Sequence, residues 1–236
     1  MANKVEVKKK EEVPNVNGTT ENQISEGKTK KRPQQLYRVL GAILILIAIF
    51  FIFNYIFSKI NAIEYNGLTF TKEKFGEIPV FRYYYYITPQ LKYNLYLRND
   101  PRQNNILLTG KAIDNGIEFT KEQNVYLSVN PEGLTQCEYG RVGISTLASF
   151  LADNQLKVVG AASNKTLAKE ANVKYATCEL FPDDIVINLQ AANKTEILHD
   201  SKNCYFINIA NCEIVPAVEK FEVQSILDSR LRRENK

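Results

Sequence analysis

The stretch 124–161, NVYLSVNPEGLTQCEYGRVGISTLASFLADNQLKVVGA, carries a strand signal, a helix signal and a second strand signal in that order. Asn124–Val129 is a short run of Val, Tyr and Leu and reads as a strand. Residues 143–152 place Ile144, Leu147, Ala148 and Leu151 at i, i+3, i+4 and i+7, one face of a helix. Residues 156–161 form the second strand, ended by Ser163-Asn164. Such a series predicts two parallel strands joined by a right-handed crossover.

Downstream, residues 165–172 read as a short helix, and 184–189 and 204–210 as strands. A final helix opens at Pro216, with Phe221, Val223, Leu227 and Leu231 on one stripe that should pack on the sheet. Glu219 and Glu222 near its start and Arg230, Arg232 and Arg233 near its end suit the helix dipole. Upstream, residues 64–70 and 79–88 are strand-like and are punctuated by Gly67, Gly76 and Pro89. Residues 91–98 alternate, with Leu91, Tyr93, Leu95 and Leu97 on one face, and Asn99-Asp100-Pro101 is a turn. Residues 106–109 and 117–119 are weaker strand candidates. The short loops imply antiparallel hairpins. Hairpins followed by a crossover predict an α+β domain with a mixed β-sheet and packed helices, spanning 59–236; a purely α/β domain is the alternative.

Ahead of this domain lies LGAILILIAIFFIFNYIF, residues 40–57, the one long apolar run of the chain. As a helix it extends roughly 27 Å, close to the ~30 Å hydrocarbon core of a bilayer. Lys28, Lys30, Lys31, Arg32 and Arg38 crowd its amino-terminal flank, whereas Lys59 and Lys72 are the bases just beyond it. By the positive-inside rule the N-terminus is cytoplasmic and the C-terminal domain lies outside. Tyr37 and Tyr55 suit interfacial anchoring. A cleaved signal peptide is the alternative, with Ile60 and Ala62 at its cleavage positions. The long leader and the length of the apolar run favour an uncleaved signal anchor. The expected organisation is a disordered basic cytoplasmic tail over 1–38, a transmembrane helix over 39–58, and an extracytoplasmic domain.

The tail holds nine bases and five acids, which accounts for the whole net charge of +4. The domain beyond it is neutral and lacks the basic footprint that nucleic acid requires. The basic cluster suits anionic lipid headgroups, and the bilayer is the first expected partner. All four cysteines, Cys137, Cys178, Cys204 and Cys212, fall on the outer side, which fits an oxidising compartment and two disulfides. Three connectivities are open. Cys204 and Cys212 can pair only if the segment between them turns back on itself. No C-x₂₋₄-C spacing supports zinc, and no metal or cofactor is expected. Sequons at Asn164 and Asn193 are candidate glycosylation sites on the outer side, and that at Asn17 lies in the tail.

No catalytic constellation stands out. His199 is the only histidine and falls in an expected surface loop. Ser145 lacks the second glycine of a nucleophile elbow. Gly140-Arg141-Val142-Gly143 precedes a helix, where backbone amides and Arg141 can meet an anion, yet it lacks a P-loop ending. Asp183-Asp184 reads as a turn, because neighbours on a strand point to opposite faces. The most unusual composition is Tyr83–Tyr86 with Phe81, Tyr93 and Tyr96. Alternation places Phe81, Tyr83 and Tyr85 on one face and Tyr84 and Tyr86 on the other. One row must face the core; if the other is exposed, it offers large amphipathic contact area to a protein or glycan. The candidate binding residues are therefore Tyr84, Tyr86, Tyr96 and Arg141. The expected function is that of a single-pass surface protein with an extracytoplasmic binding or envelope-structural domain, its partner an envelope protein or glycan. A membrane-tethered enzyme acting on an extracellular substrate is the alternative, and a sensor or assembly subunit acting through tail and helix is a third.

Overall fold

The computed structural model describes residues 31–110, 124–201 and 203–234. The candidate strand at 117–119 and tail residues 1–30, including Asn17, Lys28 and Lys30, lie outside the described residues. The chain divides into two compact units, Met1–Ile56 and Phe57–Lys236.

The first is dominated by α1 (Lys31–Ile60), so residues 31–38, expected in the disordered tail, are helical. Pro33 sits in its first turn, where a missing N–H costs no helical hydrogen bond. Within α1, Gln35–Phe57 is long and apolar enough to cross a membrane, about 35 Å at the helical rise. Asn54 satisfies its amide inside the helix by donating to the Phe50 carbonyl at 2.9 Å.

In the second unit, β1 (Ala62–Tyr65), β2 (Leu68–Phe75), β3 (Ile78–Thr88) and β4 (Leu91–Leu97) form an antiparallel sheet in sequence order. The expected single strand at 64–70 is in fact two. Asn66 and Gly67 adopt φ of 49° and 77°, the pair of positive values that a tight two-residue hairpin demands.

The remaining strands are β5 (Leu107–Gly110), β6 (Asn124–Val129), β7 (Lys157–Ala162), β8 (Lys174–Tyr175), β9 (Ile185–Ala191), β10 (Glu196–Ser201) and β11 (Cys204–Ile209). They form a seven-stranded mixed sheet in the order β5-β10-β11-β9-β6-β7-β8. Helices α2 (Gly140–Asp153), α3 (Lys165–Glu170) and α4 (Ile214–Glu234) complete the α+β domain. The expected crossover is present: β6 and β7 are parallel neighbours, with Val125 opposite Val158, joined through α2. Asn164 caps α3 by accepting from the Thr166 N–H at 2.8 Å.

Two expectations of connectivity are corrected. The upstream hairpins do not join the mixed sheet but make one of their own. Residues 106–109 are not a hairpin arm either, because β5 pairs in parallel with β10 at the far edge of the mixed sheet. The chain changes sheet at the Asn99–Pro101 corner, where the Arg98 and Asn99 amides donate to the Glu219 carboxylate instead of to another strand.

The main core joins Phe70, Leu95 and Leu97 of the antiparallel sheet to Leu127, Ile187, Tyr205 and Ile207 of the mixed sheet. Leu147 and Phe150 of α2 and Val218 and Phe221 of α4 belong to the same cluster. Three consecutive residues of α4, Phe221, Glu222 and Val223, are all buried. At 100° per residue they cannot share one face, so α4 is enclosed rather than laid on a sheet. Leu231, expected on its buried stripe, is 56 % exposed because the enclosure ends before the last turns. A smaller cluster of Tyr126, Ala161, Ala176 and Val186 packs with Phe181 on the other side of the mixed sheet.

The cysteines pair as Cys137–Cys212, Cα atoms 5.3 Å apart, and Cys178–Cys204, 5.6 Å apart. The chain does turn at Asn211 and Cys212, both at positive φ. That turn delivers Cys212 to the loop ahead of α2, not back to Cys204.

Candidate binding face

The two rows of β3 are separated as alternation requires, and only one is committed to packing. Phe70, Tyr83, Tyr85, Tyr93 and Phe150 form a continuous run of rings, with successive centroids 5.4, 5.9, 5.4 and 6.0 Å apart. Tyr85, in the middle of the run, donates its hydroxyl to the Asn154 carboxamide oxygen at 2.6 Å. Burial pushes the phenols of Tyr85 and Tyr93 well above the usual tyrosine range.

The outer row is different. Tyr84, Tyr86 and Tyr96 remain 50, 54 and 49 % exposed. The register sets Tyr96 opposite Arg82, Asn94 opposite Tyr84 and Lys92 opposite Tyr86. Lys92 holds its ammonium 3.8 Å above the Tyr84 ring, and Arg82 pairs with Glu73 at 2.8 Å. The face therefore presents aromatic rings interleaved with cations and amides.

Arg141 joins Tyr96 at one end of this face. The two line a groove of about 510 Å³ together with Tyr93, Asn94 and Leu95 of β4 and Val142, Ser145, Thr146 and Ser149 of α2. Tyr84 and Tyr86 share the sheet face but do not line the groove. The glycines beside Arg141 answer to packing. A Cβ on Gly143 would come within 2.8 Å of Ile214, and one on Gly140 within 2.5 Å of the Leu134 carbonyl oxygen. The Gly140 and Gly143 amides already donate to the Cys137 and Tyr139 carbonyls at 3.0 Å each. They are not a free anion cradle.

His199 is not in a surface loop. It lies in β10, 8 % exposed, and its ring stacks on Tyr205 with centroids 4.6 Å apart. The strand was hidden because Glu196, His199, Asp200 and Ser201 dilute its apolar pattern. Ser145 lines the groove beside α2, whereas His199 lines a separate hollow with Thr109, Gln190 and Phe206. Nothing brings the two together as nucleophile and base. Asp183 and Asp184 sit in a turn, where Asp184 accepts from the Asn124 amide at 3.2 Å. No group of three His, Cys, Asp or Glu side chains able to hold a metal occurs among the described residues. Asn164 and Asn193 are both exposed, while Thr195 of the second sequon is buried and bonded to Ala210 through its hydroxyl.

The acid pair of α4 is buried. Glu219 and Glu222, expected to suit the helix dipole, are 3 and 0 % exposed. Glu219 accepts from the Arg98 and Asn99 amides and from the Asn99 side chain at 2.7 Å, yet burial still raises its carboxyl above the usual range. Neither oxygen of Glu222 has a hydrogen-bond partner among the described residues. Burial first, and the Glu219 charge second, push the Glu222 carboxyl well above the carboxylate range. The i, i+3 spacing of two glutamates was visible; that both faces of α4 are covered was not.

Compared with protein families, with characterised proteins and with solved structures, the chain matches none.

Proposed function

We propose that this chain is a single-pass surface protein, held by α1 in the membrane, whose α+β domain stands outside the cell and binds an envelope protein or glycan through the outer face of β3 and β4. The observation that carries the reading is the trio Tyr84, Tyr86 and Tyr96, each about half exposed on a sheet whose opposite face is filled by a continuous run of rings. Half-exposed tyrosines give large amphipathic contact area at low entropic cost, the composition favoured at binding surfaces. Two disulfides and one long apolar N-terminal helix are compatible with this setting. The bases flanking α1 favour a cytoplasmic N-terminus.

The test uses the full-length chain expressed in its own membrane. Cross-linking on intact cells should capture an envelope component, and the double variant Tyr84→Ala, Tyr86→Ala should reduce capture at least tenfold while leaving both disulfides formed. Equal capture by the variant removes the tyrosine face. Resistance of the domain to protease added to intact cells removes the topology.

A further inference from the structure

The antiparallel sheet is open at β4. In the order β1-β2-β3-β4, the last strand has a neighbour on one side only, and among the described residues no strand pairs with its other edge. In any antiparallel edge strand, alternate N–H and C=O groups point away from the sheet, a ready template for another strand. Native edges are usually protected by a covering helix or loop, and here α2 runs beside the edge without closing on it. The gap is the 510 Å³ groove.

The shape of the gap selects its occupant. One wall is four consecutive residues of β4, Tyr93 to Tyr96, about 13 Å of extended chain. The other is one face of α2 from Arg141 to Ser149, about 12 Å of helix. The walls run side by side in opposite directions. Arg98, just past the end of β4, lies 4.8 Å over the Tyr139 ring at the start of α2. Tyr93 near the start of β4 meets Phe150 near the end of α2. A slot bounded lengthwise by a strand edge and a helix fits an extended peptide, which would pair with β4 through its backbone and rest its side chains on Val142, Ser145 and Ser149.

Charge narrows the choice. Arg141 is the one charged residue lining the groove, no acid lines it, Lys92 lies in β4 and Arg98 directly follows it. A second copy of this chain, pairing β4 with β4, would bring these same cations together. A peptide with a carboxylate near the Arg141 and Tyr96 end would neutralise them.

We propose that β4 and α2 form a strand-addition site that takes an extended acidic segment of a protein partner as a fifth strand of the antiparallel sheet. This rests on the binding reading above and narrows its partner to a protein that offers a free extended segment.

The probe is a phage-displayed library of random octapeptides, panned on the full-length chain in detergent micelles, with the Ser145→Trp variant as the counter-selection. Ser145 is exposed on α2, so the indole fills the groove without entering the core. The proposal expects enriched peptides that alternate β-branched or aromatic residues and carry Asp or Glu. As free peptides they should lose at least tenfold in affinity when one set of alternate backbone amides is N-methylated and far less when the other set is. Ser145→Trp should abolish binding. Arg141→Glu should weaken acidic peptides at least fivefold and favour their Lys-substituted forms. Peptide affinity and capture on intact cells are read separately, so this site and the tyrosine face can fail independently. The proposal is overturned by absence of enrichment over the Ser145→Trp control, by binding indifferent to both N-methyl patterns, or by enriched peptides without acids. A dimer of the chain that Ser145→Trp dissociates would assign the groove to a second copy and overturn it equally.

Discussion

Removal of the two disulfides one at a time should destabilise the domain unequally, and the inequality follows from chain length alone. Cys137 and Cys212 are 75 residues apart and Cys178 and Cys204 are 26 apart. In the chain-entropy treatment the longer loop stabilises by about 4.5 kcal/mol and the shorter by about 3.5 kcal/mol at 25 °C. The double variant Cys137→Ala, Cys212→Ala should thus cost about 1 kcal/mol more than Cys178→Ala, Cys204→Ala. Cys137 and Cys204 are both buried, so each pair of alanines also loses comparable packing. For a domain of this size each kcal/mol moves Tm by about 2–4 °C, placing the losses near 9–18 °C and 7–14 °C. Urea unfolding of the full chain, followed by far-UV circular dichroism and by tyrosine emission undisturbed by tryptophan, measures both. If the short-loop variant is the less stable of the two, the entropic argument fails. If peptide mapping links Cys137 to Cys178 or Cys204 to Cys212, the arrangement of α2, α4 and β11 described above is wrong.

Glu222 should make the domain less stable as pH rises. Its carboxyl titrates higher in the fold than in the unfolded chain, so the folded state binds the extra proton. The associated stability is complete below the ordinary carboxylate range and is lost as pH climbs through the raised value. Glu222→Met, which removes the unsatisfied group at similar volume, should stabilise by about 1–3 kcal/mol at alkaline pH and flatten the profile; parallel wild-type and variant curves would refute this. Glu219→Ala should cost about 1–3 kcal/mol by stranding the Arg98 and Asn99 amides, read as a lower urea midpoint. Phe221→Ala should cost about 3–5 kcal/mol in the same assay, since the ring is 1 % exposed between the Tyr205 ring and the rest of the core.

What could be read in the sequence was whatever local periodicity encodes. The strand Asn124–Val129, the helix over α2, the break at Ser163-Asn164 and the alternation of β4 all follow from neighbours within a dozen residues. The division of Tyr83–Tyr86 into two rows is likewise a period-two statement. Where partners are distant, the reading fell short. Nothing local says that β5 crosses to β10, or that α4 is covered on every side and carries Glu219 and Glu222 into the core. His199 reads as a loop residue because Ile197 and Leu198 are the only apolar residues of its strand, which owes its existence to β5 and β11 on either side. Arg141 and Tyr96 could be named separately; that they face each other across a groove depends on how α2 packs.

The position of α4 in the chain has a further consequence. Residues 214–234 follow every strand, yet they provide the filling that both sheets close upon. A growing chain can form its hairpins early, but the interior shared by both sheets and α2 stays incomplete until this helix arrives. Until then the Cys137 thiol waits for its partner, Cys212. Closure of the domain is therefore tied to the arrival of α4 rather than to either sheet.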